Sequence, residues 1–237
     1  MHGENYSYQD GKQELQGYLA YDDQTKHLRP AVIVVHDWSG RNQFACQKAD
    51  SLAEMGYVGF AVDMFGSGRL GTTLEEKQAL IQPLVSDRSK LLQRINAAYL
   101  TVSTIPGVDA QRIAIIGFCF GGLCALDLVR SGAVLRGAVS FHGLLNKPDI
   151  PTAKSINTKI LALHGYDDPM VPPEQVNAFC QEMTTAGADW QMHMYGNTQH
   201  AFTNPAAHDS KLGTVYNELA ARRAWQMMTY FLQEVFA

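Results

Sequence analysis

The sequence predicts an α/β protein: a mainly parallel, doubly wound sheet of about eight strands with helices on both faces. Three observations carry that reading. Apolar runs of strand length alternate with helix-compatible stretches through most of the chain. Some runs, Ala31-Val32-Ile33-Val34-Val35 among them, are continuously apolar, as in strands covered on both faces. A third run, Ile113-Ala114-Ile115-Ile116, leads into Gly117-Phe118-Cys119-Phe120-Gly121-Gly122 and then directly into a helical stretch. That pattern builds a sharp strand-to-helix corner.

The elements follow in order. Residues 4–20 read as a hairpin, with Tyr6-Ser7-Tyr8 and Leu15 to Leu19 on either side of the turn Asp10-Gly11. After the strand at 31–35, Asn42 to Met55 is helical and Gly56 suits its C-terminal cap. Tyr57 to Val62 is the next strand. Residues 72–104 are mostly helical. Thr73-Leu74-Glu75-Glu76 has the form of a capping box, and Pro83 is expected to divide the segment into two helices. The corner strand and its helix cover 112–130. Gly137 to Phe141 and Lys159 to Leu163 are two further buried-type strands. Pro172 to Thr185 is a helix with its prolines at the start, and Trp190 to Tyr195 is the last strand. A final helix is expected from about Leu212 to Phe236, with Leu219, Trp225, Phe231 and Val235 among its apolar positions.

Composition narrows the function classes. The chain has 237 residues and a formal net charge of -4, with no basic tract, which argues against a nucleic-acid partner. No apolar run approaches the roughly 20 residues needed to span a bilayer, so no membrane partner is expected. The start, Met1-His2-Gly3-Glu4-Asn5-Tyr6, has neither a basic nor an apolar leader region. Cys46, Cys119, Cys124 and Cys180 follow no framework spacing, which fits a reduced, cytoplasmic setting. No Cys/His spacing resembles a zinc site. One domain over 1–237 is expected, as a monomer or homodimer.

The corner is where chemistry enters. A side chain at such an elbow projects from a tight turn, and glycines two residues away allow neighbouring backbone to approach. Cys119 stands at that point. A thiol nucleophile needs a base, and the base needs an orienting acid. In this sheet type, active groups lie at the carboxyl ends of strands. After the strand at 159–163 comes His164-Gly165-Tyr166-Asp167-Asp168-Pro169-Met170-Val171-Pro172, and after the last strand comes Gly196-Asn197-Thr198-Gln199-His200-Ala201-Phe202. The chain order is nucleophile, acid, histidine. Asp167 competes with Asp168 as acid. His36, His142 and His164 compete with His200 as base, but each lies directly at a strand end, where structural histidines are common. Cys46, Cys124 and Cys180 read as packing residues.

The Gly-Phe-Cys-Phe-Gly-Gly elbow, the His-Gly-x-x-Asp-Pro-x-Val-Pro segment and the Gly-x-x-x-His-Ala-Phe segment resemble the dienelactone hydrolase family of the α/β-hydrolase superfamily. The resemblance covers nearly the whole chain. It implies Cys119 as nucleophile, His200 as base and Asp168 as acid. It also implies cleavage of an ester or lactone without a metal or organic cofactor.

The helix after the elbow places positive dipole near the sulfur and favours the thiolate. Backbone N–H groups of Phe120 and Trp38 are expected to receive the developing oxyanion. In the family a glutamate aligns with Asp37, and the resemblance implies a part for that residue in poising the thiol. The family holds a substrate carboxylate with arginines, one of them four residues after the histidine; here that position is Asn204. Arg69 and Arg88, in the segment after the strand at 57–62, are candidate substrate contacts. Trp38, Phe65, Phe118, Phe120 and Phe202 suggest an aryl-tolerant pocket, better suited to small activated esters than to carboxylated lactones. Phosphotriester hydrolysis by the same groups is an alternative. Without Cys-x-x-Cys a thiol oxidoreductase is disfavoured. Without Gly-x-Ser-x-Gly so is a serine hydrolase, since Gly66-Ser67-Gly68 lacks the spacing. A non-catalytic binding protein on a hydrolase fold is the remaining class.

Overall fold

The computed structural model describes residues 1–237. Eight strands form one mainly parallel sheet, ordered β1-β2-β4-β3-β5-β6-β7-β8, with the ranges given below. The chain divides into two compact units, Met1–Ile116 and Gly117–Ala237. No helix is long and apolar enough to cross a membrane.

The first unit begins with a hairpin of β1 (His2–Asp10) and β2 (Gln13–Tyr21), paired antiparallel from His2↔Tyr21 to Asp10↔Gln13. Gly11 supplies the left-handed backbone of the turn, at φ 58°. Next come β3 (Arg29–Val35), α1 (Gln43–Glu54), β4 (Val58–Ala61), α2 (Leu74–Val85), α3 (Arg88–Val102) and β5 (Val108–Phe118), the last leading into the second unit. β4 pairs antiparallel with β2 and parallel with β3. Val32, Ile33 and Phe60 are fully buried, which explains their unbroken apolar runs. The loop after β4 is organised by Asp63. Its carboxylate is wholly buried and accepts backbone N–H groups of Gln16, Phe65, Gly66 and Gly68 at 2.8–3.0 Å. Four donors offset the cost of taking that charge out of water.

The second unit contains α4 (Phe120–Arg130), β6 (Gly137–Phe141), β7 (Lys159–Gly165), α5 (Pro173–Thr185), β8 (Trp190–Tyr195), β9 (His208–Asp209), β10 (Thr214–Val215) and α6 (Glu218–Phe236). β6, β7 and β8 pair in parallel. Residues an odd number apart on a strand point to opposite faces. A Cβ at Gly137 would meet Phe231 and Val235 of α6, and a Cβ at Gly122 of α4 would meet the Ser140 hydroxyl. Helices α6 and α4 therefore cover opposite faces of β6. Arg130, fully buried, bridges α4 to α5 through Glu182 at 2.7 Å and also donates to the carbonyls of Leu145 and Asn146.

Two boundaries differ from the sequence expectation. Pro83 lies inside α2 rather than between two helices; the break falls at Ser86-Asp87, where Asp87 caps α3 by accepting the Lys90 N–H. Pro83 is on an exposed face, so the carbonyl it cannot serve is left to water. The capping box at Thr73 and Glu76 is present as expected. The final helix starts at Glu218, not near Leu212, because residues 208–215 form the small hairpin β9-β10. Leu219 is exposed, and the buried stripe of α6 runs through Ala220, Ala224, Met228, Phe231, Leu232 and Val235.

Candidate active site

The elbow is built as the glycines require. Cys119 sits at φ 55°, ψ -115°, a left-handed conformation that costs a non-glycine residue strain. A methyl at Gly117 would lie 2.0 Å from the Gly121 carbonyl oxygen, so only glycine lets the strand and helix approach. The strained backbone is held from both sides. The Cys119 N–H donates to the Phe141 carbonyl at 3.0 Å, and its own carbonyl accepts from Gly122 and Leu123. Cys119 is half-buried, whereas Cys124, one turn further, is fully buried.

The candidate acid and base come from the ends of β7 and β8. Asp168, 4% exposed, accepts the Met170 N–H through Oδ1 at 2.8 Å and contacts His200 Nδ1 through Oδ2 at 2.7 Å. An ionised carboxylate is an acceptor only, so Nδ1 carries a proton toward Asp168. Asp167 points to solvent, and its N–H donates to the Thr198 carbonyl. That bond ties the acid loop to the histidine loop. Gly165 allows the approach: a Cβ there would lie 2.5 Å from the Thr198 carbonyl oxygen.

His200 is nearly sealed, at 1% exposed. Its N–H donates to the Gly213 carbonyl, and its carbonyl accepts from Val215, so the β9-β10 hairpin grips it on both sides. Gly213, at φ 73°, abuts the ring of Pro169, directly after the acid. Nε2 is buried, and no hydrogen bond of standard geometry ends on it. Burial disfavours charge on this ring. The Cys119 charge, seconded by the Asp168 hydrogen bond, outweighs that penalty and pushes the His200 pKa up to about 10.

The remaining sequence candidates fall into two groups. In the first unit, Trp38 is half-buried in the loop after β3, with the Lys77 ammonium 5.4 Å over its ring. Asp37, 8% exposed, accepts the Ser39 N–H at 2.8 Å and so shapes its own loop. Arg69 is exposed and donates to the carbonyls of Phe65 and Gly66. Arg88 is buried at the first position of α3. His36 accepts the Met64 N–H at Nε2, which leaves Nδ1–H to donate to the Asp37 carbonyl. In the second unit, Phe120 is the first residue of α4. Phe202 is fully buried between the rings of His142 and Tyr195. Asn204 accepts the Ala206 N–H at 2.9 Å and so holds a turn. Two features escape a reading of the sequence: the grip of Gly213 on His200, and the edge-to-face packing of His142 beside it. Gly213 is the one local signal, since a glycine inside an otherwise helical-looking stretch hints at a turn.

A strand-ordered Cys, Asp and His on a mainly parallel, doubly wound sheet defines an α/β-hydrolase fold with a thiol at its elbow. Residues 15–236 match the model of the dienelactone hydrolase family, and the chain belongs to that family. It is by that membership a hydrolase acting on ester bonds. The solved structure of m3DLH is 38% identical, with a TM-score of 0.94, and the match covers 100% of this chain and 99% of that one. A dienelactone hydrolase-like promiscuous phosphotriesterase from metagenomic libraries is 33% identical, also with a TM-score of 0.94, covering 100% and 99%. A probable 2-oxo-3-(5-oxofuran-2-ylidene)propanoate lactonase of Bradyrhizobium is 29% identical over 91% of this chain and 88% of its own.

Proposed function

We propose that the protein is a cysteine-dependent hydrolase of small, neutral carboxylic esters or lactones, working through a Cys119-His200-Asp168 triad and a thioester. One observation carries the reading: the Asp168–His200 contact at 2.7 Å leaves Nε2 as the ring atom for the strained, half-buried Cys119. In this scheme Nε2 already holds the proton taken from the thiol, and the thiolate attacks the acyl carbon. The C–S bond forms, and the carbonyl oxygen gains charge. The N–H of Phe120, the residue after the sulfur, receives it, worth roughly 3–4 kcal/mol by analogy with measured oxyanion donors. The C–O bond then breaks, and His200 returns its proton to the leaving oxygen. Water, deprotonated by His200, attacks the thioester and restores the thiol.

The preference for neutral substrates rests on Asn204, which replaces a carboxylate-binding arginine and is spent on its own turn. Arg69, engaged with two carbonyls, is a weak alternative anchor. A second reading, attack on neutral phosphotriesters, is favoured by the promiscuous phosphotriesterase among the similar structures. Purified protein should hydrolyse p-nitrophenyl acetate and lose that activity on treatment with iodoacetamide. Cys119→Ala should be inactive, with Cys124→Ala active. The reverse assignment would overturn the site. A panel of aryl esters, carboxylated lactones and phosphotriesters decides the substrate, and equal or better rates on the carboxylated lactones would refute the neutral-substrate preference.

A further inference from the structure

Five non-glycine residues have left-handed backbone: Ser67, Cys119, His142, Asn197 and Ala201. Cys119 is the proposed nucleophile, and Ala201 directly follows the proposed base. His142, at φ 39°, has no part in the scheme above, yet it lies against the same base. Its ring stands edge-to-face with His200, centroids 5.2 Å apart at 65°. Phe202 flanks it at 5.2 Å and Phe118 at 6.2 Å. Its backbone is fixed by an N–H donated to the Leu163 carbonyl at 2.8 Å. Its Nε2 meets the Thr203 hydroxyl at 2.7 Å, and Thr203 lies three residues beyond His200 on the same loop. Nδ1 is buried with no partner. The contact with Thr203 is therefore the ring's one side-chain hydrogen bond.

We propose that His142 is a positioning residue for His200: a neutral ring anchored through Thr203 at the end of β6, it walls the base so that Nε2 stays aimed at Cys119. The inference rests on the proposed triad. Strain retained at a residue that only filled space would be a cost without return, whereas at an active site it is commonly kept for geometry. Neutrality is part of the role. Burial, with the neighbouring charge of His200 and that of His164, keeps His142 well below the ordinary histidine range, so the wall does not repel a proton on His200. His164 is the other titratable ring packed here, and Asp168 faces both it and His200.

Thr203→Val removes the anchor with little change of shape, and His142→Phe keeps the wall while removing the bond. The readouts are kcat and KM for p-nitrophenyl acetate, and the rate of Cys119 alkylation by iodoacetamide across pH, followed by mass spectrometry. For both variants kcat should fall about tenfold with KM little changed, the size seen for partners that orient a reacting group. The alkylation midpoint should move up by about half a pH unit or more, because a loosened base stabilises the thiolate less. The double variant should be no worse than either single one, and His142→Gln, which keeps a hydrogen-bonding group for Thr203, should recover much of the loss. Wild-type kcat and alkylation profile in folded Thr203→Val would overturn the proposal, even where His142→Phe fails to fold. A wild-type protein whose Cys119 is not the preferred alkylation site would overturn the triad itself, and this inference with it.

Discussion

Replacing Asp168 by Asn removes one charge beside His200 and changes little else in size. The structure sets the magnitude. His200 is raised from the ordinary 6.5 to about 10 against the opposing effect of burial, which corresponds to about 5 kcal/mol in favour of the imidazolium. Cys119 and Asp168 share that effect, and an adjacent carboxylate supplies roughly 1–3 pH units of such a shift. In Asp168→Asn the ring should therefore titrate roughly 1–3 units lower, and kcat/KM should fall by about 10²–10⁴, since the ring also loses the partner that fixes its tautomer. Imidazole-labelled NMR titration of wild type and variant reads the first effect, and ester hydrolysis at fixed pH reads the second. The same pair has a stability signature. A histidine with a raised folded-state pKa contributes stability that is fully present below about 6.5 and lost as pH rises through about 10. Thermal melts of the wild type should fall across that window more steeply than those of Asp168→Asn. An unchanged His200 titration together with near-wild-type kcat/KM would refute Asp168 as the orienting acid.

Three further outcomes are expected. Gly213→Ala places a methyl 2.2 Å from Pro169 at a left-handed backbone position, so the hairpin must shift. Because that hairpin grips His200, kcat should fall at least tenfold, with a loss of about 1–3 kcal/mol in urea unfolding. Arg130→Met leaves the fully buried Asp127 carboxylate without its arginine. Removing one partner of such a pair costs about 3–5 kcal/mol, which calorimetry would register as a Tm drop of several degrees. Cys124→Ala empties a small buried site in α4 and should cost about 1 kcal/mol by denaturant unfolding, with hydrolysis within twofold of wild type.

Much of this protein is written in local patterns. Continuous apolar runs mark β3, β6 and β7 because those strands are buried on both faces. The elbow is legible because Gly117 and Gly122 occupy positions where any Cβ would strike backbone or a buried hydroxyl within 2.5 Å. The order of Cys119, Asp168 and His200 could be read because strand ends are recognisable and active groups gather there. Which of two adjacent aspartates meets the histidine could not be read locally. Asp167 and Asp168 differ by one step of backbone, and only the turn of the acid loop against Thr198 buries one and exposes the other. The same holds for residues 208–215, whose Gly213 lies against Pro169, some forty residues earlier. His142 sits at a strand end like many structural histidines, and its place beside His200 follows from the parallel pairing of β6, β7 and β8. Sequence alone determines the main strands and helices and which side chains reach the sheet's carboxyl edge, because those depend on hydrophobic period and on glycine. Tertiary structure decides which of those side chains touch, because a hydrogen bond is settled by loop paths across long separations in the chain, and no local pattern encodes them.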